Sequence, residues 1–263
     1  MNKTRPDFFA DADRVILATS GLDNFEALWN FSPEAEDTPN GERGDQRLAS
    51  RLALPGRLYY LKRQTNHLTR SLSHPLGEPA IAREFRNITR CKERGVPAVE
   101  AAFYGERREQ NEQGQPIWRA ILLTRALDAD EGWLSLENWM AGWAALPEAL
   151  RQDLLIACGK LASSLHGAGL VHGSFYPRHI FLHKQLEGFA ARLIALEKTR
   201  GFWFPMRNRL RDMAQFARYA PDLSEAEIRF LLGVYLDASP DSAATMRFLK
   251  RVRTRQRQKE GRA

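Results

Sequence analysis

Between residues 57 and 236 the apolar positions change period several times, and each change predicts an element. Leu58, Tyr59, Tyr60 and Leu61, closed by Lys62, predict a strand over 57–63. Ile81, Phe85, Ile88 and Cys91 then recur at helical spacing until Gly95 and Pro97, with Pro79 at the first helical position, and predict an amphipathic helix. Strands are expected at 99–104 and 117–124, with the polar stretch 106–115 as the hairpin loop between them. Leu146, Leu150, Leu154, Cys158, Leu161 and Leu165 mark a long helix with one buried face, ended by Gly167 and Gly169. Two short β-rich runs, 180–183 and 191–196, flank a polar turn and read as a hairpin, and the apolar runs at 213–216 and 228–236 read as helices. Residues 34–56, with Pro, Gly, Asp, Glu and Asn clustered from Pro33 to Arg43, read as loop or an irregular hairpin. There is no internal repeat.

Composition narrows the class. With 263 residues and 43% hydrophobic content, the chain can bury one substantial core or two small lobes. Its two cysteines, Cys91 and Cys158, fall in predicted helices without metal-type spacing, and two are too few for a disulfide framework, which fits a reducing compartment. No run approaches the roughly 18 apolar residues that span a bilayer. The N-terminus, with Lys3, Arg5, Asp7, Asp11, Asp13 and Arg14, lacks the apolar core of a signal peptide, so the expected location is cytoplasmic. A net charge of +7 predicts an anionic partner: nucleic acid, nucleotide, acidic lipid surface or phosphorylated glycolipid.

Three segments carry chemistry. Lys62 closes a strand of apolar residues, and a lysine there is costly unless paired, so a carboxylate is expected to follow; Glu84 stands on the next helix. The alternative is a surface lysine and a solvated glutamate. The second segment runs Leu170-Val171-His172-Gly173-Ser174-Phe175-Tyr176-Pro177-Arg178-His179-Ile180-Phe181. Set on the kinase catalytic-loop template H-x-D-x-x-x-x-N, His172 matches the His, Ser174 falls on the catalytic Asp and His179 on the metal-binding Asn. A serine hydroxyl can orient a substrate and cannot by itself act as general base. The third segment, Leu193-Ile194-Ala195-Leu196-Glu197-Lys198-Thr199-Arg200, resembles a kinase metal-binding strand end, and that resemblance puts Ala195 where an Asp usually chelates Mg²⁺. If the backbone is extended there, Glu197 faces the same side as Ala195 and presents a carboxylate near the vacated place; otherwise it pairs locally with Lys198 and Arg200.

These segments, with Arg83-Glu84-Phe85-Arg86-Asn87 and Gly95-Val96-Pro97 between them, resemble the Kdo/WaaP lipopolysaccharide kinase family in its InaA-like branch, over roughly residues 55–236. The resemblance implies an α+β, bilobal protein-kinase-like fold, with a small β-rich N-lobe and a helical C-lobe. Its divisions are an N-terminal extension and start of the N-lobe at 1–54, an N-lobe at 55–126, a C-lobe at 127–240 and a basic tail at 241–263. It implies ATP and Mg²⁺ as cofactors. Lys62 holds phosphates, Glu84 orients it, and the span 122–127, with Thr124 and Ala126, is the hinge that binds adenine through backbone groups. His172, Ser174 and His179 form the catalytic loop, Glu197 is left to hold the metal, and Asp212 braces the loop through its backbone amides. No G-x-G-x-x-G precedes Lys62; Gly41 and Gly44 have the wrong spacing.

The implied acceptor is the lipopolysaccharide core or its lipid-linked precursor, met at the cytoplasmic face of the inner membrane. Arg63, His67, Arg70, His74 and Arg83 form one basic cluster, which the resemblance turns toward that acceptor. Arg247, Lys250, Arg251, Arg253, Arg255, Arg257, Lys259 and Arg262 form another, with Phe248, Leu249 and Val252 as a partial apolar face. Such a helix can lie on an anionic membrane or be a frayed, solvated terminus. No specific nucleic acid is expected, since no base-reading motif accompanies the charge. Two functions stay open: an ATP-dependent kinase for heptose or Kdo-type inner-core sugars, and a pseudokinase that keeps the fold as a binding or scaffold module.

Overall fold

Alternation in the strand that carries Lys62 sets the architecture of the N-terminal half, because its two faces meet different partners. In a computed structural model that describes residues 6–32, 48–71, 74–110, 113–202 and 204–260, the chain divides into two units, 1–89 with 99–126 and 90–98 with 127–263. The elements of the first are β1 (Phe8–Phe9), α1 (Asp11–Thr19), α2 (Phe25–Asn30), β2 (Leu48–Leu54), β3 (Arg57–Thr65), β4 (Leu68–Ser71), β5 (His74–Pro79), α3 (Ala80–Glu93, shared with the second unit beyond Thr89), β6 (Ala101–Gln110) and β7 (Pro116–Arg125). Five strands pair antiparallel in the order β1-β6-β7-β3-β2, while β4 and β5 form a separate ribbon. Leu17, Phe25 and Leu28 from α1 and α2 pack on Leu52, Tyr59, Leu61, Phe103, Ile121 and Leu123, so these two helices close one face of the sheet.

Three expectations change here. Of the region read as loop or an irregular hairpin over 34–56, residues 34–47 lie outside the described residues and 48–54 form β2, an edge strand without β-branched or aromatic residues that pairs with β3 from Leu48↔Arg63 to Leu54↔Arg57. Of the hairpin loop expected at 106–115, residues 106–110 are strand, since Glu106↔Ala120 through Gln110↔Pro116 continue the ladder. Its side chains are polar because that end of the ribbon is exposed. Pro79 ends β5, and the helix begins one residue later.

One buried carboxylate ties α1 to the sheet. Asp13 is fully buried and accepts hydrogen bonds from Arg57 Nη1 at 2.6 Å, Tyr59 Oη at 2.9 Å and Arg125 Nε at 3.1 Å. Burial pushes the Asp13 carboxyl up, but bonds from Arg125, Arg57 and Tyr59 outweigh it and hold the group below its ordinary value of 3.8. Burial, then the bond to Asp13, raise the Tyr59 phenol to about 12, so it stays a donor.

The second unit contains β8 (Trp133–Ser135), α4 (Leu136–Met140), α5 (Glu148–Gly167), β9 (Leu170–Val171), β10 (Ile180–Lys184), β11 (Phe189–Leu193), β12 (Arg200–Gly201), α6 (Pro205–Arg218), α7 (Glu225–Leu236) and α8 (Ala243–Glu260). Its strands form the small sheets β11-β10-β8 and β12-β9. The long expected helix is α5, buried through Leu154, Leu155, Cys158, Leu161 and Leu165. It packs on α7 so closely that a Cβ at Gly159 would meet Val234 Cγ1 at 2.8 Å. Burial pushes the Cys158 thiol up to about 12 and the Cys91 thiol up to about 11, so both act as core residues.

The basic tail is an integral helix. Phe248, Leu249 and Val252 of α8 are buried, Phe248 lies 5.6 Å from the Tyr235 ring, and α8 packs on α6 and α7. The apolar face expected to be free is therefore used inside the fold, and residues 243–260 form a continuous helix in place of a frayed terminus. Among the described residues no helix is long and apolar enough to cross a membrane.

Asp13→Ala is expected to destabilise the protein by about 2–3 kcal/mol, below the full value for a buried pair because the Arg57 and Arg125 side chains are 31% and 26% exposed. Urea denaturation near neutral pH measures it. Because the folded-state pKa lies below the unfolded one, this contribution is complete above about pH 4 and fades as pH falls through the lowered value. The gap between wild type and variant therefore narrows in acid; a gap that widened would be the wrong sign.

Candidate functional site

The face of β3 opposite the core presents Lys62 and Gln64, two residues apart, to α3. Gln64 is buried; its Oε1 accepts the Ile81 N–H at 3.1 Å and its Nε2 donates to the His67 carbonyl. An orphan amide at the helix start is thereby satisfied and α3 is pinned to the strand. One turn on, Glu84 meets Lys62, whose Nζ donates to both carboxylate oxygens at 2.8 and 3.0 Å. The Lys62 side chain is 33% exposed and that of Glu84 only 6%, so the carboxylate is held inside while the ammonium keeps a face outward. Phe85 stacks on Tyr104 at 4.4 Å and fixes the helix rotation. The expected lysine–glutamate pair is formed, and Gln64 sets its register.

Within the second unit a loop after β9 is organised by Asp212 of α6. This fully buried carboxylate accepts the His172 N–H at 2.7 Å and the Gly173 N–H at 3.1 Å, the brace expected of it. His166 Nε2 lies 3.3 Å from its Oδ2, and His166 Nδ1 lies 2.9 Å from the Tyr235 hydroxyl. Nε2 donates to the carboxylate, and Nδ1 accepts from the Tyr235 hydroxyl. Burial, chiefly, raises Tyr235 to about 12, which keeps it a donor in this chain.

His172 is also fully buried. Its Nε2 donates to the Ile194 carbonyl at 2.9 Å and holds the loop to the segment after β11, while its Nδ1 accepts the Ser174 N–H at 3.3 Å within the loop. Gly173, at φ 79°, would put a Cβ 2.8 Å from the Lys198 carbonyl, which only glycine avoids. Ser174 is 2% exposed; its carbonyl accepts the Tyr176 N–H at 2.9 Å and His179 Nδ1–H at 2.8 Å. His179 is half-buried, with its ring 5.7 Å from that of His172. The loop is thus a hydrogen-bonded scaffold with imidazoles and a hydroxyl where acid–base chemistry would need a carboxylate.

The segment after β11 departs from the extended course assumed for Glu197. Ala195 is left-handed (φ 57°, ψ 53°) and Leu196–Lys198 form a 3₁₀ turn. Period-two alternation does not apply, so nothing in the backbone register carries Glu197 into the place of Ala195. Glu197 is half-buried in that turn.

The model of the lipopolysaccharide kinase (Kdo/WaaP) family matches residues 26–235. The chain belongs to this family. Protein InaA of Escherichia coli strain K12 is 29% identical over 188 residues, which span 70% of this chain and 82% of InaA. A solved structure of WaaP in complex with acyl carrier protein superposes with a TM-score of 0.65 at 23% identity, covering 94% of this chain and 97% of WaaP. That likeness bears on the fold: a kinase-like α+β chain, sheet-rich in its N-terminal part and helical in its C-terminal part.

Lys62, Glu84, His172 and Asp212, expected to build the scaffold, make the bonds described above. Ser174, His179 and Ala195, expected at base and metal positions, carry no carboxylate. Thr124 lies in β7, buried, opposite Tyr60 and Ala101. The Ala126 N–H donates to the Leu58 carbonyl at 2.9 Å, so that amide is engaged in extending the sheet. Arg63 turns inward, its Nη1 capping the Trp29 and Phe31 carbonyls at 2.6 and 2.8 Å, which removes it from the expected basic cluster. Gly41 and Gly44, and the Arg70 and His74 side chains, lie outside the described residues.

Nucleotide phosphates fit the outward ammonium of Lys62. Mg²⁺ fits poorly: Ala195 has no donor atom, imidazole is a softer ligand than Mg²⁺ prefers, and Glu197 is a single carboxylate in a turn. Among the described residues no three His, Cys, Asp or Glu side chains gather as a metal site.

Asp212→Ala strands two buried amides, and the expected loss is about 2–5 kcal/mol by chemical denaturation, with faster hydrogen exchange at His172 and Gly173. Gln64→Ala is expected to cost about 1–2 kcal/mol through the Ile81 amide alone; unchanged stability would mean that the helix start is held by other groups.

Proposed function

We propose that this chain is a nucleotide-binding member of the lipopolysaccharide kinase family whose phosphoryl-transfer machinery is degenerate, acting as a pseudokinase module in lipopolysaccharide core biogenesis at the cytoplasmic face of the inner membrane. The bidentate Lys62–Glu84 pair carries the nucleotide half of this reading. An ammonium held through two oxygens of a buried carboxylate is pre-positioned for phosphate, and a strand lysine kept for packing alone would not need a bidentate partner. The course of residues 195–198 supports the degenerate half: a methyl group stands at the metal position and a buried serine at the base position. Positioning of the metal and of the base are each worth orders of magnitude in rate, and both are missing here. Acyl carrier protein, the protein bound to WaaP in its solved complex, is a candidate partner for this chain as well.

A second reading is ATP-dependent phosphorylation of a heptose or Kdo-type inner-core sugar. The Asp212-braced loop favours it, because a chain that only binds nucleotide has no need to hold His172 and Gly173 so firmly. It would require Glu197 to take over Mg²⁺.

Calorimetry with ATP, with and without Mg²⁺, separates the two. The degenerate reading expects ATP binding that is lost in Lys62→Ala and indifferent to Mg²⁺ and to Glu197→Ala. Binding that needs Mg²⁺ and is lost in Glu197→Ala would establish the kinase reading, and no ATP binding in wild type would sink both. In the reverse direction, Ala195→Asp places a carboxylate at a left-handed position that Asp tolerates better than Ala. It is expected to make ATP binding Mg²⁺-dependent.

A further inference from the structure

We propose that α6 and α8 form an anion site for a phosphate monoester, built by Arg211, Arg218 and Arg255. These residues, with Ala214, Gln215 and Gln256, line a cavity of about 70 Å³. That is several times the roughly 10–15 Å³ that admits one water, room enough for a tetrahedral oxyanion. Arg211 and Arg218 stand seven apart on one face of α6, with Ala214 and Gln215 between them, while Arg255 and Gln256 project from α8.

The cluster is electrostatically incomplete. The guanidinium of Arg255 is destabilised by burial and then by the positive charges of Arg207 and Arg211. Among the described residues, no carboxylate pairs with Arg207, Arg211, Arg218 or Arg255. Asp212, next in sequence, is turned to the loop amides, and Glu225 is engaged by Arg253. Like charges drawn around a small polar cavity repel in the absence of a ligand, and an oxyanion is the species that reverses the sign of that interaction. Nothing in the packing calls for arginine here, since the apolar contacts of α8 are made by Phe248, Leu249 and Val252.

The cavity is joined to the braced loop by Gln215. Its Oε1 accepts the Phe175 N–H at 3.2 Å and its Nε2 donates to the Tyr176 hydroxyl at 2.7 Å. Tyr176 packs edge-on against Tyr219 at 4.6 Å, with Arg178 over Tyr176 and Arg218 over Tyr219. A surface of two tyrosines and two arginines beside a phosphate-sized cavity suits a phosphorylated sugar: aromatic rings for the sugar, guanidinium groups for its phosphate. Only this assignment to the acceptor rests on the function proposed above; anion binding does not depend on it.

The test compares wild type, Arg211→Gln, Arg255→Gln and Lys62→Ala by thermal unfolding and calorimetry. The probes are inorganic phosphate and glucose 6-phosphate against chloride at equal ionic strength, together with phosphatidylglycerol vesicles. Phosphate is expected to raise the Tm of wild type and of Lys62→Ala alike. Its affinity is expected to fall about tenfold or more in each Arg→Gln variant, as for loss of one charge-assisted contact. In chloride alone Arg255→Gln is expected to be at least as stable as wild type, because a repelling charge is gone; a merely structural arginine would give the opposite. Tighter binding of glucose 6-phosphate than of phosphate assigns the site to a phosphosugar. Equal Tm shifts in wild type and both Arg→Gln variants, or vesicle binding that depends on these arginines with no response to phosphate, would overturn the proposal. A phosphate response lost in Lys62→Ala would place the anion at the nucleotide lysine and overturn it as well.

Discussion

A backbone amide taken out of water needs an acceptor, and in the loop after β9 two consecutive amides find theirs on the single carboxylate of Asp212. Much of the second unit follows from that constraint. With its backbone held, His172 brings its ring to the Ile194 carbonyl and so couples the loop to the segment after β11. Gly173 passes the Lys198 carbonyl closely enough that no side chain fits, and Arg200↔Val171 closes a short ladder beside it. Asp212 is itself held by His166 and, through it, by Tyr235, so α5, α6 and α7 all contribute to one small polar core. A partly satisfied network of this kind would be worse than an apolar one, which is why its members act together.

The first unit solves the same problem twice. Asp13 collects two arginines and a tyrosine and anchors α1 across the sheet. Gln64 satisfies the start of α3 and sets the register in which Glu84 meets Lys62. In each case a buried polar side chain serves as a bolt between elements, and the charged group that can act on a ligand, the Lys62 ammonium, is the one left partly outward.

The groups expected to shape the loop after β9 are present and hydrogen-bonded, while Ser174, His179 and Ala195 bring no carboxylate to it. The left-handed backbone at Ala195, an uncommon state for a residue with a Cβ, persists because its neighbours are paired on both sides: Ile194 N–H donates to the His179 carbonyl and Thr199 N–H to that of Leu196.

The sequence by itself determined the α+β class, the long buried helix, the Lys62–Glu84 pair, the Asp212 brace and the family, because each rests on local periodicity or on short motifs in a fixed order. Tertiary structure decided what depends on contacts distant in sequence. The edge strand β2 has no β-branched or aromatic residue to announce it and exists because β3 pairs with it. Helices α1 and α2 show their role only against the sheet face they cover. Glu197 looked able to replace an aspartate two residues earlier, but that required extended backbone, and a left-handed residue followed by a 3₁₀ turn removes the alternation. The basic C-terminal segment read as a tail because charge dominates its composition, yet three apolar residues on one helical face were enough to dock it. Whether such a face meets protein or lipid is set by the presence of a complementary surface on α6 and α7, which no local pattern in residues 243–260 encodes.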